Sequence, residues 1–152
     1  MELVAKVTSF FTDYPLVSLL IVFILFRVFF MKAASGKFEE YPGNKVVDCS
    51  TKEIFYEQMR RATIEKKLVV VDFYALWCGP CRYAAPSYGK MSIDFSDVVF
   101  LKVDVDNNRE VSMENKVNAM PTFILFKDGS MLDRVTGWNE SKLRTMIERH
   151  RK

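Results

Sequence analysis

Histidine is almost absent from this sequence: one residue, His150, stands for the whole of its 152. Cysteine is scarce too, at three. A structural zinc site takes four Cys or His ligands. Beyond Cys78 and Cys81 the chain offers only Cys49, far upstream, and His150, with no second C-x-x-C and no H-x-x-H. No metal site is therefore expected, and His150 is expected to carry no catalytic role. No sign of charge dominates, with 22 Lys and Arg against 19 Asp and Glu, interleaved, for a net +3. That balance leaves no electrostatic footprint for nucleic acid. A phosphate-binding glycine loop, internal repeats and low-complexity tracts are also missing.

What is present is a pair of thiols at close spacing. Trp77-Cys78-Gly79-Pro80-Cys81 follows the apolar run Leu68 to Tyr74. As a structural disulfide the pair closes too short a loop to remove much chain entropy, which leaves exchange chemistry. At the start of a helix the first thiol lies near unsatisfied backbone N–H groups and the positive end of the helix dipole, which favours the thiolate. The second thiol, a turn further on and more buried, can attack the first sulfur and resolve a mixed disulfide. Cys78 is thus the expected nucleophile and Cys81 the resolver, with Gly79 and Pro80 setting the turn between them.

The rest of the chain alternates in character. Ser50-x-x-Glu53 reads as a capping box opening an amphipathic helix to about Lys66, and Leu68 to Tyr74 as a buried central strand. Cys81 to Phe95 reads as a helix, Val98 to Val105 as a second buried strand, and Asn107 to Glu114 as a short helix. Thr122 to Phe126 and Met131 to Thr136 flank Asp128-Gly129, a hairpin signal, before a last amphipathic helix from Glu140 to His150. The expected class is α/β, a mixed sheet flanked by helices. Asp72, embedded among Val69, Val70, Val71 and Phe73, is costly to bury ionised, so its pKa is expected to rise.

From about Lys45 onward the sequence resembles the thioredoxin family. The resemblance rests on Trp77-Cys78-Gly79-Pro80-Cys81 with Asp72-Phe73-Tyr74-Ala75 before it, Pro86 after it, Lys102 to Asp106, Met120-Pro121-Thr122, the Lys127-Asp128-Gly129 turn and Gly137. It implies the thioredoxin fold and disulfide reduction in protein substrates, by a monomer without a cofactor. It implies that Asp72 lies beneath Cys81 and helps deprotonate it through water, and that Lys102 pairs with Asp72. Pro121 is expected to be cis and to face the disulfide. Met120, Pro121, Gly137 and Trp77 would form the substrate-binding face, with Met120 backbone groups pairing to an extended substrate segment. A Gly-Pro pair between the cysteines accompanies a strongly reducing couple, near about −270 mV. The electron donor implied is a flavoprotein resembling thioredoxin reductase, or a small dithiol.

The sequence departs from the family pattern at Tyr74, Leu76 and Trp138. Leu76 and Trp138 are read either as widening the apolar docking face or as packing variation. Arg82 keeps a positive charge near the thiols, and Cys49 reads as a small buried hydrophobe. A reading of another class, a membrane-tethered interaction module with incidental cysteines, is opposed by the intact Cys78, Cys81, Asp72 and Pro121.

The amino-terminal segment belongs to no thioredoxin core. Residues 1–13 read as a flank, 14–33 as a transmembrane helix, 34–44 as a linker and 45–152 as the domain. Pro15 to Met31 is apolar apart from Ser18 and Arg27, and as a helix spans roughly 25 Å, near the lower limit for a crossing of about 30 Å. Arg27 can snorkel to the headgroups. Lys6 stands before the run with Glu2 and Asp13, whereas Arg27, Lys32, Lys37 and Lys45 cluster at its other end. Basic flanks stay cytoplasmic, so the domain is expected to face the cytosol from the endoplasmic reticulum or mitochondrial outer membrane. The competing reading is a secretory signal cleaved near Ala33-Ala34-Ser35-Gly36, which would put a disulfide oxidase or isomerase in the lumen. Asp13 beside the apolar core, and Arg27 with Phe29-Phe30-Met31 before the small residues, count against it.

Overall fold

A computed structural model describes the backbone of residues 14–34 and 38–152, with side chains for 14–29 and 38–152. The expected flank, 1–13, and residues 35–37 of the expected linker lie outside the described residues. The chain divides into two compact units, Met1–Gly36 and Lys37–Lys152. In the first, Pro15–Ala34 forms helix α1, and Ser18 Oγ donates to the Tyr14 carbonyl at 2.9 Å. Among the described residues no helix is long and apolar enough to cross a membrane.

The second unit is a five-stranded sheet between helices. Its elements in order are β1 (Val47–Asp48), α2 (Lys52–Ile64), β2 (Val69–Tyr74), α3 (Gly79–Asp94), β3 (Val99–Asp104), α4 (Arg109–Glu114), β4 (Thr122–Lys127), β5 (Ser130–Thr136) and α5 (Glu140–His150). The sheet order is β1-β3-β2-β4-β5. The pairs β1·β3 and β2·β3 are parallel, β2·β4 and β4·β5 antiparallel. Every residue of central β2 is buried, the outcome of helices covering both sheet faces.

Strand side chains alternate between faces, and the core divides accordingly. Leu68, Val70, Phe100, Phe123 and Leu125 pack with Ala84, Tyr88 and Met91 of α3 and Leu143, Met146 and Ile147 of α5. Val69, Val71, Phe73, Leu101, Val103, Ile124 and Phe126 face the other way, toward Phe55 and Ala62 of α2 and Val111 of α4. Burying each such side chain stabilises by about 1.5–3 kcal/mol. The same alternation puts Asp72, two residues after Val70, and Lys102, two after Phe100, on the α3 face. Asp72 and Lys102 are register partners across β2 and β3.

Local chemistry sets the boundaries. The cap of α2 is Thr51, which accepts from the Ile54 N–H at 3.4 Å, so the helix starts one residue later than a Ser50 cap predicts. It ends at Ile64, where the Lys66 backbone turns left-handed at φ 53°. The β4–β5 hairpin turns through Asp128 and Gly129 with φ 52° and 76°, positive at both central positions as a type I′ turn requires. Leu143, Met146 and Ile147, spaced i, i+3, i+4, form the buried stripe of α5.

Residues 38–44, part of the segment read as a linker, fall in the second unit. Phe38 packs at a tilt against Tyr74 with ring centroids 5.3 Å apart, and Lys45 N–H donates to Ser92 Oγ at 2.8 Å. Gly89 on α3 admits the close approach: a Cβ there would lie 3.0 Å from Tyr41 Cβ and 3.2 Å from Asn44 Cβ.

Candidate active site

The two sulfurs sit at the N-terminus of α3, joined as a Cys78–Cys81 disulfide with Cα atoms 5.3 Å apart. Cys78 is the N-cap, extended at φ −83° and ψ 108°, and its sulfur accepts the Cys81 N–H at 3.2 Å. A sulfur receiving an otherwise orphaned helix N–H is placed where negative charge is favoured. Gly79 and Pro80 open the first turn, where the missing proline N–H leaves no helical bond unmade. Cys78 N–H donates to the Ala75 carbonyl at 3.0 Å, which closes the loop from β2. Cys81 is wholly buried and Cys78 is 5 % exposed, so the first sulfur is the one an outside disulfide reaches.

The cysteines belong to a small apolar cluster with Tyr74 and Ala75, against which Phe38, Leu76, Val105 and Met120 pack. Trp77 beside them is 60 % exposed, and its indole N–H donates to Asp106 Oδ2 at 2.7 Å. The indole is therefore an oriented surface group. Asp106 carries no sequence signal for this role. The Met120–Pro121 peptide bond is cis. Gly137, at φ 80°, donates its N–H to the Pro121 carbonyl at 2.8 Å; that bond ties the start of β4 to the end of β5. Trp138 packs against the core, its ring 5.5 Å from that of Phe123, and stays partly exposed.

Asp72 is buried on the α3 side of β2, and its Oδ1 has no hydrogen-bond partner. Burial raises its pKa to about 7, against a smaller lowering by the Lys102 charge. It lines a cavity of about 20 Å³ with Tyr88, Gly89 and Ala85, the last one helical turn beyond Cys81. That volume holds about one water. Tyr88 closes the floor, its hydroxyl 3.0 Å from the Val70 carbonyl and 2.9 Å from that of Leu101.

Lys102 differs from the expected pairing. Its ammonium bonds to Glu40 and lies 3.5 Å from Asp48 Oδ2. These carboxylates are exposed, so an ion pair with them keeps most of its hydration, whereas one with Asp72 would bury both charges. Burial pushes the Lys102 pKa down, but the Glu40 hydrogen bond and the Asp48 charge outweigh it and leave it raised. Cys49 is fully buried, and burial, with the Asp48 charge, pushes its thiol up to about 12. The geometry thus supplies an accessible sulfur at a helix N-terminus, a buried partner sulfur, and a carboxyl that exchanges protons near neutrality.

Comparison with known proteins agrees with this chemistry. The family described as Thioredoxin matches residues 46–149. Thioredoxin H5 of Arabidopsis thaliana is 42% identical over 106 residues, 70% of this chain and 90% of its own. Thioredoxin-T of Drosophila melanogaster is 48% identical over 87 residues, 57% of this chain and 55% of its own. Among solved structures, thioredoxin NaTrxh from Nicotiana alata superposes with a TM-score of 0.71 at 37% identity, covering 77% of this chain and all of that one.

Proposed function

The chain belongs to the thioredoxin family and is a protein-disulfide oxidoreductase working without a cofactor, on the redox-active disulfide itself, and on that premise we propose that it runs as a reductant of protein disulfides, tethered to a membrane with the domain in the cytosol. The observation that carries the direction of electron flow is the Gly79-Pro80 pair between the sulfurs, at the positive end of α3. In the reduced protein, the Cys78 thiolate attacks a substrate disulfide, forming a mixed disulfide and expelling one substrate thiolate. Cys81 then passes its proton to Asp72 and attacks Cys78 Sγ. The second substrate thiolate leaves, and two electrons have moved from the Cys78–Cys81 pair to the substrate. A flavoprotein reductase or small dithiol returns the pair to its reduced form.

The tether reading is supported by the apolar run Pro15 to Met31 and by the apolar side chains exposed on α1 from Leu16 to Phe29, interrupted by Ser18 and Arg27. A helix apolar all round is suited to lipid. Lys32, Lys37 and Lys45 on the domain side of the run favour a cytosolic domain, in a compartment that keeps dithiols reduced.

The deciding experiment expresses Cys81→Ser at native levels and separates membranes under non-reducing conditions. Mixed disulfides through Cys78 in the carbonate-resistant pellet are expected, with the domain open to protease in sealed vesicles. An absence of adducts refutes the exchange mechanism; a protected domain refutes the orientation. Equilibration with dithiothreitol and glutathione buffers is expected to give a potential near about −270 mV, and a value above about −200 mV indicates an oxidising or isomerising role.

A further inference from the structure

The residues just before β1 shape the surroundings of Asp72 in a way the family chemistry does not require. Phe38, Glu40, Tyr74 and Lys102 line two spaces at once. On the inner side lies the cavity of about 20 Å³ that reaches Asp72; on the outer side lies an open groove of about 440 Å³ bounded also by Asp48, Leu76, Asp104 and Asn107. Lys102 therefore stands in the partition, with carboxylates available on either side. Its ammonium is drawn outward, to Glu40 and Asp48, although Asp72 is its register partner on the neighbouring strand. Asp72 Oδ1 is left without a hydrogen bond.

We propose that Glu40 is a positioning residue that holds the Lys102 ammonium at the outer face of this partition, away from the Asp72 carboxyl beneath α3. The segment bearing Glu40 is itself held down. The Phe38 ring packs at a tilt on that of Tyr74, the Arg82 guanidinium lies 5.7 Å from the Phe38 ring centroid, and Asn44 accepts the Val46 N–H at 3.0 Å. Gly89 leaves room for Tyr41 against α3. The ionisable groups lining the Asp72 cavity are Glu40 from this segment, Tyr74 from β2, Tyr88 from α3 and Lys102 from β3, with Asp48 and Asp104 on the outer groove. Arg82 is held over the Phe38 ring, and among the described residues that line the cavity Lys102 is the cation, so its position decides whether a buried negative charge at Asp72 is compensated. With Lys102 held outward, Asp72 keeps its proton to near neutral pH and can trade it with a thiol; with Lys102 turned inward, the carboxylate is stabilised and becomes a weaker base. The consequence for catalysis rests on the role proposed above for Asp72; the position of Lys102 does not.

The test follows the Asp72 carboxyl by 13C NMR through a pH titration of the oxidised full chain in detergent micelles. In Glu40→Gln the midpoint is expected to fall by about one unit, the effect of an opposite charge coming within reach. In Lys102→Met the midpoint rises, and adding Glu40→Gln to that background is expected to leave it unmoved. No shift in Glu40→Gln overturns the proposal. An equal shift in both backgrounds also overturns it, because Glu40 then acts by its own charge and not through Lys102. The pH profile of mixed-disulfide resolution is read on the same variants. A moved midpoint with an unmoved rate profile supports the position assigned to Lys102 and refutes Asp72 as the base for Cys81.

Discussion

Replacing Asp72 by Asn should make the oxidised domain more stable at pH 8 and leave it nearly unchanged at pH 4. The carboxyl is 5 % exposed, has an unpartnered Oδ1, and is shifted by burial to about 7 from an ordinary value of 3.8. Between those values the folded protein binds a proton that the unfolded chain has released. The group's favourable contribution is thus full below about pH 3.8 and is lost as pH rises through about 7. The gap is about three units at about 1.4 kcal/mol each, so the loss is about 4 kcal/mol. Asn is isosteric and does not ionise, so the variant escapes that loss. Urea unfolding of the wild type and Asp72→Asn at intervals from pH 4 to 8 gives the difference directly. Taking the difference removes the opposite trend of carboxylates such as Asp94, which its bonds to Lys90 and Arg144 hold below its ordinary pKa. The stability gap should open in favour of the variant by about 4 kcal/mol, most steeply between the two pKa values, at about pH 5 to 6, and should level off above about pH 7. Curves that stay parallel to within about 1 kcal/mol across this range would refute a buried, uncompensated carboxyl, and with it the proton exchange assigned to Asp72.

Other consequences can be checked with less effort. Tyr88→Phe removes the hydroxyl shared between the Val70 and Leu101 carbonyls and should cost about 1–2 kcal/mol in the same unfolding assay; a change below about 0.3 kcal/mol would mean the carbonyls lose nothing. Cys49, buried with its thiol pushed up to about 12, should resist iodoacetamide at pH 8 in the reduced folded protein, while Cys78 is alkylated; mass spectrometry of the adducts decides, and modification of Cys49 at a comparable rate would contradict its burial. Cys81→Ser should accumulate adducts through Cys78, whereas Cys78→Ser should accumulate few, because the buried Cys81 cannot meet a substrate disulfide; equal trapping by both would reverse the assignment of nucleophile and resolver.

Much of the domain was legible in the chain because its signals are local. The β-branched and aromatic run at Val69–Tyr74, broken by Asp72 alone, reads as a strand covered on both faces, the Asp128-Gly129 pair signals the hairpin, and the i, i+3, i+4 spacing of Leu143, Met146 and Ile147 signals a one-sided helix. The cysteine spacing at the head of a helix, and an aspartate set among valines, were likewise enough to name Cys78, Cys81 and Asp72. Tertiary structure alone decided what these residues touch. Strand alternation put Lys102 next to Asp72, but whether its ammonium turns inward or outward depends on Glu40, 62 residues away, and on the lower desolvation cost at an exposed carboxylate. The anchoring of Trp77 by Asp106, the packing of Trp138 on Phe123, and the docking of Phe38 and Tyr41 on the domain are likewise contacts between distant segments. Pattern and propensity report which face a residue occupies; the partner it finds there is settled by packing and by the hydration each charge can keep.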